Sequence, residues 1–191
     1  MKILREIVIT VLIAVAVFFA LRLNIQTYTV VMSSMEPSFQ QGECIIVNKV
    51  TYHSSGPQRG DVIIFDPPFD SPHPFIKRVI GLPGETVEIK DGKVFIDGAP
   101  LEEGYIMAPP DYTMAATKIP ENEYFVLGDN RNYSNDSHTG WTVPRDNIIG
   151  KAWFTYWPPS KWGIVKHYSY PELPETEGQE TVLCQSPGGA T

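Results

Sequence analysis

Two adjacent serines in the sequence could supply a nucleophile. Ser33 and Ser34 precede a methionine, and Pro37 closes the stretch SSMEP. A serine hydroxyl is a weak nucleophile until a neighbouring group takes its proton. Pro37 restricts Glu36 to extended geometry, and an extended loop lets a serine hydroxyl and its own amide face one cavity. The residue types therefore predict a nucleophilic turn at Ser33 or Ser34.

The base for such a serine has one good candidate. The usual helper is a histidine held by an acid, but the sequence has no G-x-S-x-G elbow and nothing in it places His138 beside a serine. In the strand-like stretch FIKRVI, Lys77 and Arg78 point to opposite faces, each among apolar neighbours. Burial lowers the pKa of a lysine from about 10.4 towards roughly 7 to 8, whereas arginine stays protonated. We therefore predict Lys77 as the general base.

A third polar stretch, GDNRNYSNDSHTGW, follows the strand-like EYFVL. Its residues Asp129, Arg131 and Asp136 could pair within the loop and form a rigid wall. Ser134 could hydrogen-bond to a neutral lysine amine and hold its lone pair in line. A polar loop of this size is often only a solvated turn, and each stretch alone has an equally ordinary interpretation, so the chemistry depends on their combination.

An apolar segment at the N-terminus precedes these stretches. No charged residue lies from Ile7 to Leu21, which approaches the length of about 20 residues that crosses a bilayer. Lys2 and Arg5 come before it, which favours a cytoplasmic N-terminus. A cleaved signal peptide would carry small residues after the apolar core, but ALRLNIQTY follows instead. We predict an uncleaved transmembrane anchor over residues 1–25.

The rest of the chain predicts one mainly β domain, residues 26–168, and a tail. Short β-branched or aromatic runs alternate with turns, and the runs are ECIIVNKV, DVIIF, FIKRVI, TVEIK, KVFID, EYFVL and IIGKAWFTYW. Asp91-Gly92 joins two of them as a two-residue hairpin would. A sandwich or a partly open barrel fits this pattern. Residues 169–191 are acidic and rich in Pro and Gly, which predicts disorder, with a short docked strand at Thr181 to Leu183 as the alternative.

Composition excludes several classes of function. The 191 residues carry a net charge of −7 without a Lys/Arg cluster, so we expect no nucleic-acid partner. Cys44 lies in the body and Cys184 in the tail, so we expect no structural disulfide. The four histidines are scattered, so we predict neither a metal site nor another cofactor.

Four motifs in order resemble bacterial type I signal peptidase, a membrane-bound serine endopeptidase with a Ser-Lys dyad. The motifs are S-M-x-P (34–37), R-G-D-V-x-x-F (59–65), K-R-V-I-G-L-P-G (77–84) and G-D-N-R-x-x-S-x-D-S (128–137). VPRDNIIGKAWFTYWPP also resembles the closing strand of the family. Together they cover most of the chain from the anchor to about Trp162, and their order makes the resemblance specific.

The resemblance implies a role for each matched residue. Ser34 matches the nucleophile, and its backbone amide would face the oxyanion. Lys77 matches the general base, and Ser134 matches the residue that orients the lysine amine. Three further positions match structural supports: Asp129, Arg131 and Asp136. The implied catalytic domain consists of twisted antiparallel sheets.

The implied activity is removal of N-terminal signal peptides from exported preproteins through an acyl-enzyme, after small residues at Ala-x-Ala sites. The protein would act as a monomer in the cytoplasmic membrane, in contact with the lipid bilayer. Its single span would place the N-terminus in the cytoplasm and the catalytic domain on the extracytoplasmic side.

The chain departs from the family at two positions that matter. Met32 stands where many members carry a serine that donates to the oxyanion, and loss of such a donor can cost about 10²- to 10³-fold in rate. His138 stands where an arginine often pairs with the preceding aspartate. Two alternatives remain, a self-cleaving repressor of the LexA kind and a non-catalytic, membrane-anchored β-domain that binds partners.

Overall fold

The computed structural model describes residues 2–52, 55–171 and 173. It begins with helix α1 (Lys2–Asn24), which leads directly into the first strand. Among the described residues, no helix has both the length and the apolar character that a bilayer crossing requires. The anchor over residues 1–25 stays a prediction, and the predicted tail lies mostly outside the described residues, including all of Thr181 to Leu183.

The described residues form twelve strands. Their bounds are β1 (Ile25–Thr29), β2 (Cys44–Asn48), β3 (Val62–Phe65), β4 (Phe75–Gly81), β5 (Thr86–Lys90), β6 (Lys93–Ile96), β7 (Ala99–Pro100), β8 (Met114–Lys118), β9 (Glu123–Leu127), β10 (Val143–Pro144), β11 (Ile148–Trp157) and β12 (Gly163–Ile164). All seven predicted runs are strands, so the mainly β prediction is confirmed. Five strands were not predicted: β1, β7, β8, β10 and β12.

The strands form two antiparallel sheets. The larger sheet has the order β1-β2-β11-β3-β4-β9-β10, with β12 paired to β11. The smaller sheet has the order β7-β6-β5-β8. Register shifts interrupt β4 and β11, and such irregularities bend a strand and increase its twist. The twisted antiparallel architecture expected for the domain is therefore present.

The hairpin predicted at Asp91-Gly92 is confirmed. Lys90 pairs with Lys93, so two residues form the loop. Asp91 has φ 51° and Gly92 has φ 71°, the positive values that a type I′ turn requires at both central positions.

Strand β4 lies inside the larger sheet between β3 and β9, and it places one basic side chain on each face of that sheet. Lys77 is opposite Ile63, and Arg78 pairs with Val62 on one side and Leu127 on the other. Both side chains are buried on opposite faces, as their alternation predicted.

The core extends beyond the predicted end of the domain. Tyr170 is buried in the cluster that packs on the smaller sheet, and Leu173 packs against the same cluster. The packed part of the chain thus continues past residue 168.

Candidate active site

The two candidate serines lie in a short 3₁₀ turn, Ser33–Met35, between β1 and β2. Met35 and Phe39 are buried in the hydrophobic core, so they fix the turn to the body of the domain. Glu36 is extended, with ψ 140°, as Pro37 predicted. In this turn Ser34 is buried whereas Ser33 is exposed.

The structure brings Ser34 and Lys77 together. The lysine Nζ and the serine Oγ are 2.7 Å apart, within hydrogen-bond distance. Only 4% of each residue is exposed. Burial lowers the pKa of Lys77 to about 8, although the charges of Asp136 and Asp129 act in the opposite direction. A neutral amine is therefore accessible near neutral pH, and its lone pair could accept the hydroxyl proton.

A largely apolar cleft opens beside this pair. The segment after β1 contributes Val30 and Met32, and the start of β4 contributes Phe75 and Ile76. Ser34 and Lys77 line the same cleft. An apolar lining disfavours the charged form of a nearby lysine, and it also suits an extended apolar substrate segment.

The polar loop that follows β9 is anchored by buried ion pairs. Arg78 donates to both carboxylate oxygens of Asp129 at 2.9 and 2.6 Å, and neither side chain is more than 1% exposed. Arg131 donates to both oxygens of Glu103 at 2.6 and 2.8 Å. Pairing within the loop was the expectation for these charges. That expectation is wrong for Asp129 and Arg131, because their partners come from β4 and from the loop after β7.

Asp136 holds the other end of the loop. One carboxylate oxygen accepts the main-chain N–H of Gly128 at 2.9 Å. The other lies 2.6 Å from Nδ1 of His138, whose ring stacks on Tyr112 at a centroid distance of 4.1 Å. His138, which the resemblance places where an arginine often stands, therefore contacts Asp136 itself.

Ser134 differs from the predicted arrangement. Its Oγ is buried and makes no hydrogen bond to any described residue, so the predicted bond to the Lys77 amine is not formed. The amine lies instead against Ser34. Gly128 is packed beside Ser134, because a Cβ at Gly128 would collide with the Ser134 hydroxyl and with the carbonyl oxygen of Ser34. An orienting role for Ser134 stays a prediction.

Asn130, which was not predicted as a site residue, contacts the nucleophile turn, Ser33–Met35. The main-chain N–H of Asn130 donates to the carbonyl oxygen of Ser34 at 3.0 Å, and its side-chain amide donates to that of Ser33 at 3.2 Å. Its position inside the G-D-N-R motif was the one available signal. In the described part of the chain, no group of three or more His, Cys, Asp and Glu residues is arranged to hold a metal ion.

Comparisons with known proteins find the same family repeatedly. The family model described as signal peptidase, peptidase S26, matches residues 3–157. A probable signal peptidase I-1 from Synechocystis sp. is 47% identical over 144 residues, which are 72% of this chain and 74% of that protein. A signal peptidase I from Leptolyngbya laminosa is 49% identical over 137 residues, 68% of each chain. A signal peptidase IB from Staphylococcus aureus is 32% identical over 190 residues, 90% of this chain and 97% of that protein.

Proposed function

Because the chain belongs to the signal peptidase family of hydrolases, peptidase S26, we propose that it removes N-terminal signal peptides from exported preproteins with Ser34 as nucleophile and Lys77 as general base. The observation that carries the proposal is the buried contact of 2.7 Å between their side chains. The pKa of about 8 at Lys77 supports it, because a base must lose its proton near the working pH.

The proposed reaction proceeds in two steps. Neutral Lys77 takes the hydroxyl proton as Ser34 Oγ attacks the scissile carbonyl carbon, and the oxyanion that forms faces the Ser34 amide. The lysine ammonium then gives the proton to the leaving amine, which leaves an acyl-enzyme. In the second step Lys77 takes a proton from water as the water oxygen attacks the acyl carbon. The bond between that carbon and Ser34 Oγ then breaks, the lysine ammonium returns the proton to Oγ, and the signal peptide leaves as a carboxylate.

The cleft suits an extended substrate with apolar side chains near the cut. A strand-like segment presents every second side chain to the same surface, and the lining from Val30, Met32, Phe75 and Ile76 is apolar. We propose that alternate substrate residues enter this cleft and that sites of the Ala-x-Ala type are cleaved.

We propose further that α1 anchors the enzyme in the cytoplasmic membrane, with the β-domain on the extracytoplasmic side. Its apolar side chains lie exposed along the helix, among them Ile7, Leu12 and Phe18. From Leu23 to Ser34 the chain spans eleven residues of at most roughly 3.5 Å each, so the nucleophile lies within about 40 Å of the membrane surface. Anchoring confines the search for a membrane-inserted preprotein to two dimensions and raises the effective concentration.

Substitution of the two residues tests the proposal. We expect Ser34→Ala and Lys77→Met each to abolish cleavage of a preprotein with an Ala-x-Ala site, measured by gel shift and by mass spectrometry of the new N-terminus. Ser33→Ala is the matched control, because it removes an exposed hydroxyl one residue away, and it should cleave at the wild-type rate. Full cleavage by either dyad variant would contradict the assignment. A wild-type protein that binds the preprotein without cutting it would favour a non-catalytic β-domain.

A further inference from the structure

Asn130 lies against the back of the nucleophile turn and has no role in the reaction as described so far. Asn130 is buried, with 7% of the residue exposed. The residues on either side of it, Asp129 and Arg131, form the two buried ion pairs with Arg78 and Glu103. These pairs fix the loop on both sides of Asn130, so its position relative to the turn is set by the fold.

Asn130 binds two successive carbonyl groups of the turn. Its main-chain N–H reaches the oxygen of Ser34 at 3.0 Å, and its side-chain Nδ2 reaches the oxygen of Ser33 at 3.2 Å. The acceptor determines the orientation of the amide, because a carbonyl oxygen can only accept and the side-chain NH₂ must therefore face it.

The second of these bonds acts on the group that would stabilise the oxyanion. The carbonyl of Ser33 and the N–H of Ser34 belong to one peptide group, which is planar and trans, so they point in opposite directions within one plane. The Ser33 oxygen also accepts from the main-chain N–H of Glu36 at 3.1 Å, so this bond and the bond from Asn130 together fix the direction of the Ser34 N–H. A hydrogen bond to the carbonyl also polarises the peptide group and strengthens its N–H as a donor.

We propose that Asn130 is a positioning residue that orients and polarises the Ser34 N–H as the oxyanion donor through its bond to the Ser33 carbonyl. The inference rests on the proposed function. The direction of this amide matters because Met32, which lines the same cleft, has no hydroxyl that could supply a second donor. A misdirected donor loses part of the roughly 10²- to 10³-fold that an oxyanion-hole donor contributes.

Steady-state kinetics of the full-length Asn130→Asp variant tests the proposal. The change keeps the shape of the side chain and removes its donor. We expect kcat for a synthetic signal-peptide substrate to fall about 10- to 100-fold, part of what an oxyanion donor supplies, while KM changes less than about threefold. A peptide boronate, which forms a tetrahedral adduct on the serine, should bind more weakly in proportion to the loss of kcat/KM.

Asn132→Asp is the matched control in the same loop. Its side chain bonds to Pro109 and Asp111 rather than to the nucleophile turn, so kcat should stay within about twofold. If Asn130→Asp does not fold, as judged by thermal unfolding, Asn130→Ala keeps the main-chain donor, adds no charge and should show the same kcat-selective loss.

Three outcomes decide the proposal. A kcat-selective loss in a folded Asn130 variant supports it. Wild-type kcat, or a loss confined to KM, would overturn it while leaving the dyad intact, because Ser34→Ala would still be inactive and the wild type active. A wild-type protein that does not cleave the substrate would overturn the inference together with the proposed function.

Discussion

The ammonium form of Lys77 is costly to bury. Lys77 is 4% exposed, and its pKa falls to about 8 from a model-peptide value near 10.5. At 1.36 kcal/mol per pH unit, this difference corresponds to about 3 kcal/mol of destabilisation while the amine is protonated in both states. The property that makes Lys77 a base therefore also lowers the stability of the domain, as is common at active sites.

We expect Lys77→Met to raise the free energy of unfolding. Below pH 8 the lysine is charged in the folded and the unfolded protein, so the full penalty applies and the variant should gain up to about 3 kcal/mol. Between pH 8 and about 10.5 the folded protein holds a neutral amine while the unfolded chain is still protonated, so the gain should shrink and then vanish. Urea unfolding at a series of pH values measures it.

The exposed Lys93 provides the control for this prediction. Lys93→Met should change stability by less than about 0.5 kcal/mol, with little dependence on pH. A Lys77→Met protein that is less stable than the wild type at pH 7 would contradict the burial argument.

At the scale of elements, the site is the meeting of the turn after β1, strand β4 and the loop after β9. Gly128 lies where the loop approaches the turn, and a Cβ there would collide with the Ser34 carbonyl oxygen and the Ser134 hydroxyl. One of the contacting groups is backbone, so the collision cannot be relieved by a side-chain rotation alone. The close approach of the two elements therefore requires glycine at this position.

We expect Gly128→Ala to displace the turn from Lys77. Cleavage should fall at least about 100-fold, since small displacements of reacting groups cost that much, and stability should fall by about 1–3 kcal/mol through overpacking. Peptide cleavage and thermal unfolding measure the two effects. Gly104→Ala is the control, because nothing lies within 4 Å of a Cβ there. Equal activity of both variants would argue against close packing at Gly128.

The sequence predicted those strands whose own residues show the composition of a buried strand. β3 and β9 consist mostly of β-branched or aromatic residues and are almost wholly buried, and each was found. β8, at the edge of the smaller sheet, reads MAATK and is mostly exposed, so it lacks an alternating pattern. β7, β10 and β12 have two residues each, too few for any period to show.

The two residues proposed to react could be predicted from the sequence, but the ion pairs that hold the polar loop in place could not. Lys77 was singled out because a buried lysine can lose its proton, and Ser34 because of the motif around it. The partner of Asp129 is Arg78, 51 residues away, and the partner of Arg131 is Glu103. The first pairing depends on the alignment of β4 with β9 in the larger sheet, and the second on how the two sheets pack, and no local pattern encodes either.

At the scale of the whole molecule, the two sheets of the β-domain are joined by contacts that do not involve α1. The guanidinium of Arg78 lies 4.3 Å from the ring of Tyr105 and 5.0 Å from that of Tyr168, and the hydroxyls of Tyr105 and Tyr170 are 2.6 Å apart. These contacts join β4 of the larger sheet to the core of the smaller sheet and to the end of the described chain. We infer that the active site needs this packing and does not need the helix.

Removal of residues 1–24 tests the anchoring role of α1. We expect the shortened protein to cleave a short soluble peptide at close to the wild-type rate, because the dyad is unchanged. On a preprotein inserted in vesicles its rate should fall at least tenfold, because the local concentration is lost. Equal losses on both substrates would mean that the helix supports the fold of the domain rather than its location.

The central claim is that the Lys77 amine is neutral in the working enzyme and contacts Ser34. Its most direct test is the titration of that amine by NMR in protein with isotope-labelled lysine, the signal being assigned with Lys77→Met. We predict a pKa of about 8, matched by the pH at which kcat/KM reaches half its maximum, with activity rising as the proton is lost. A Lys77 amine that titrates near 10.4 would contradict the account. So would a kcat/KM whose pH dependence does not follow the titration of the amine.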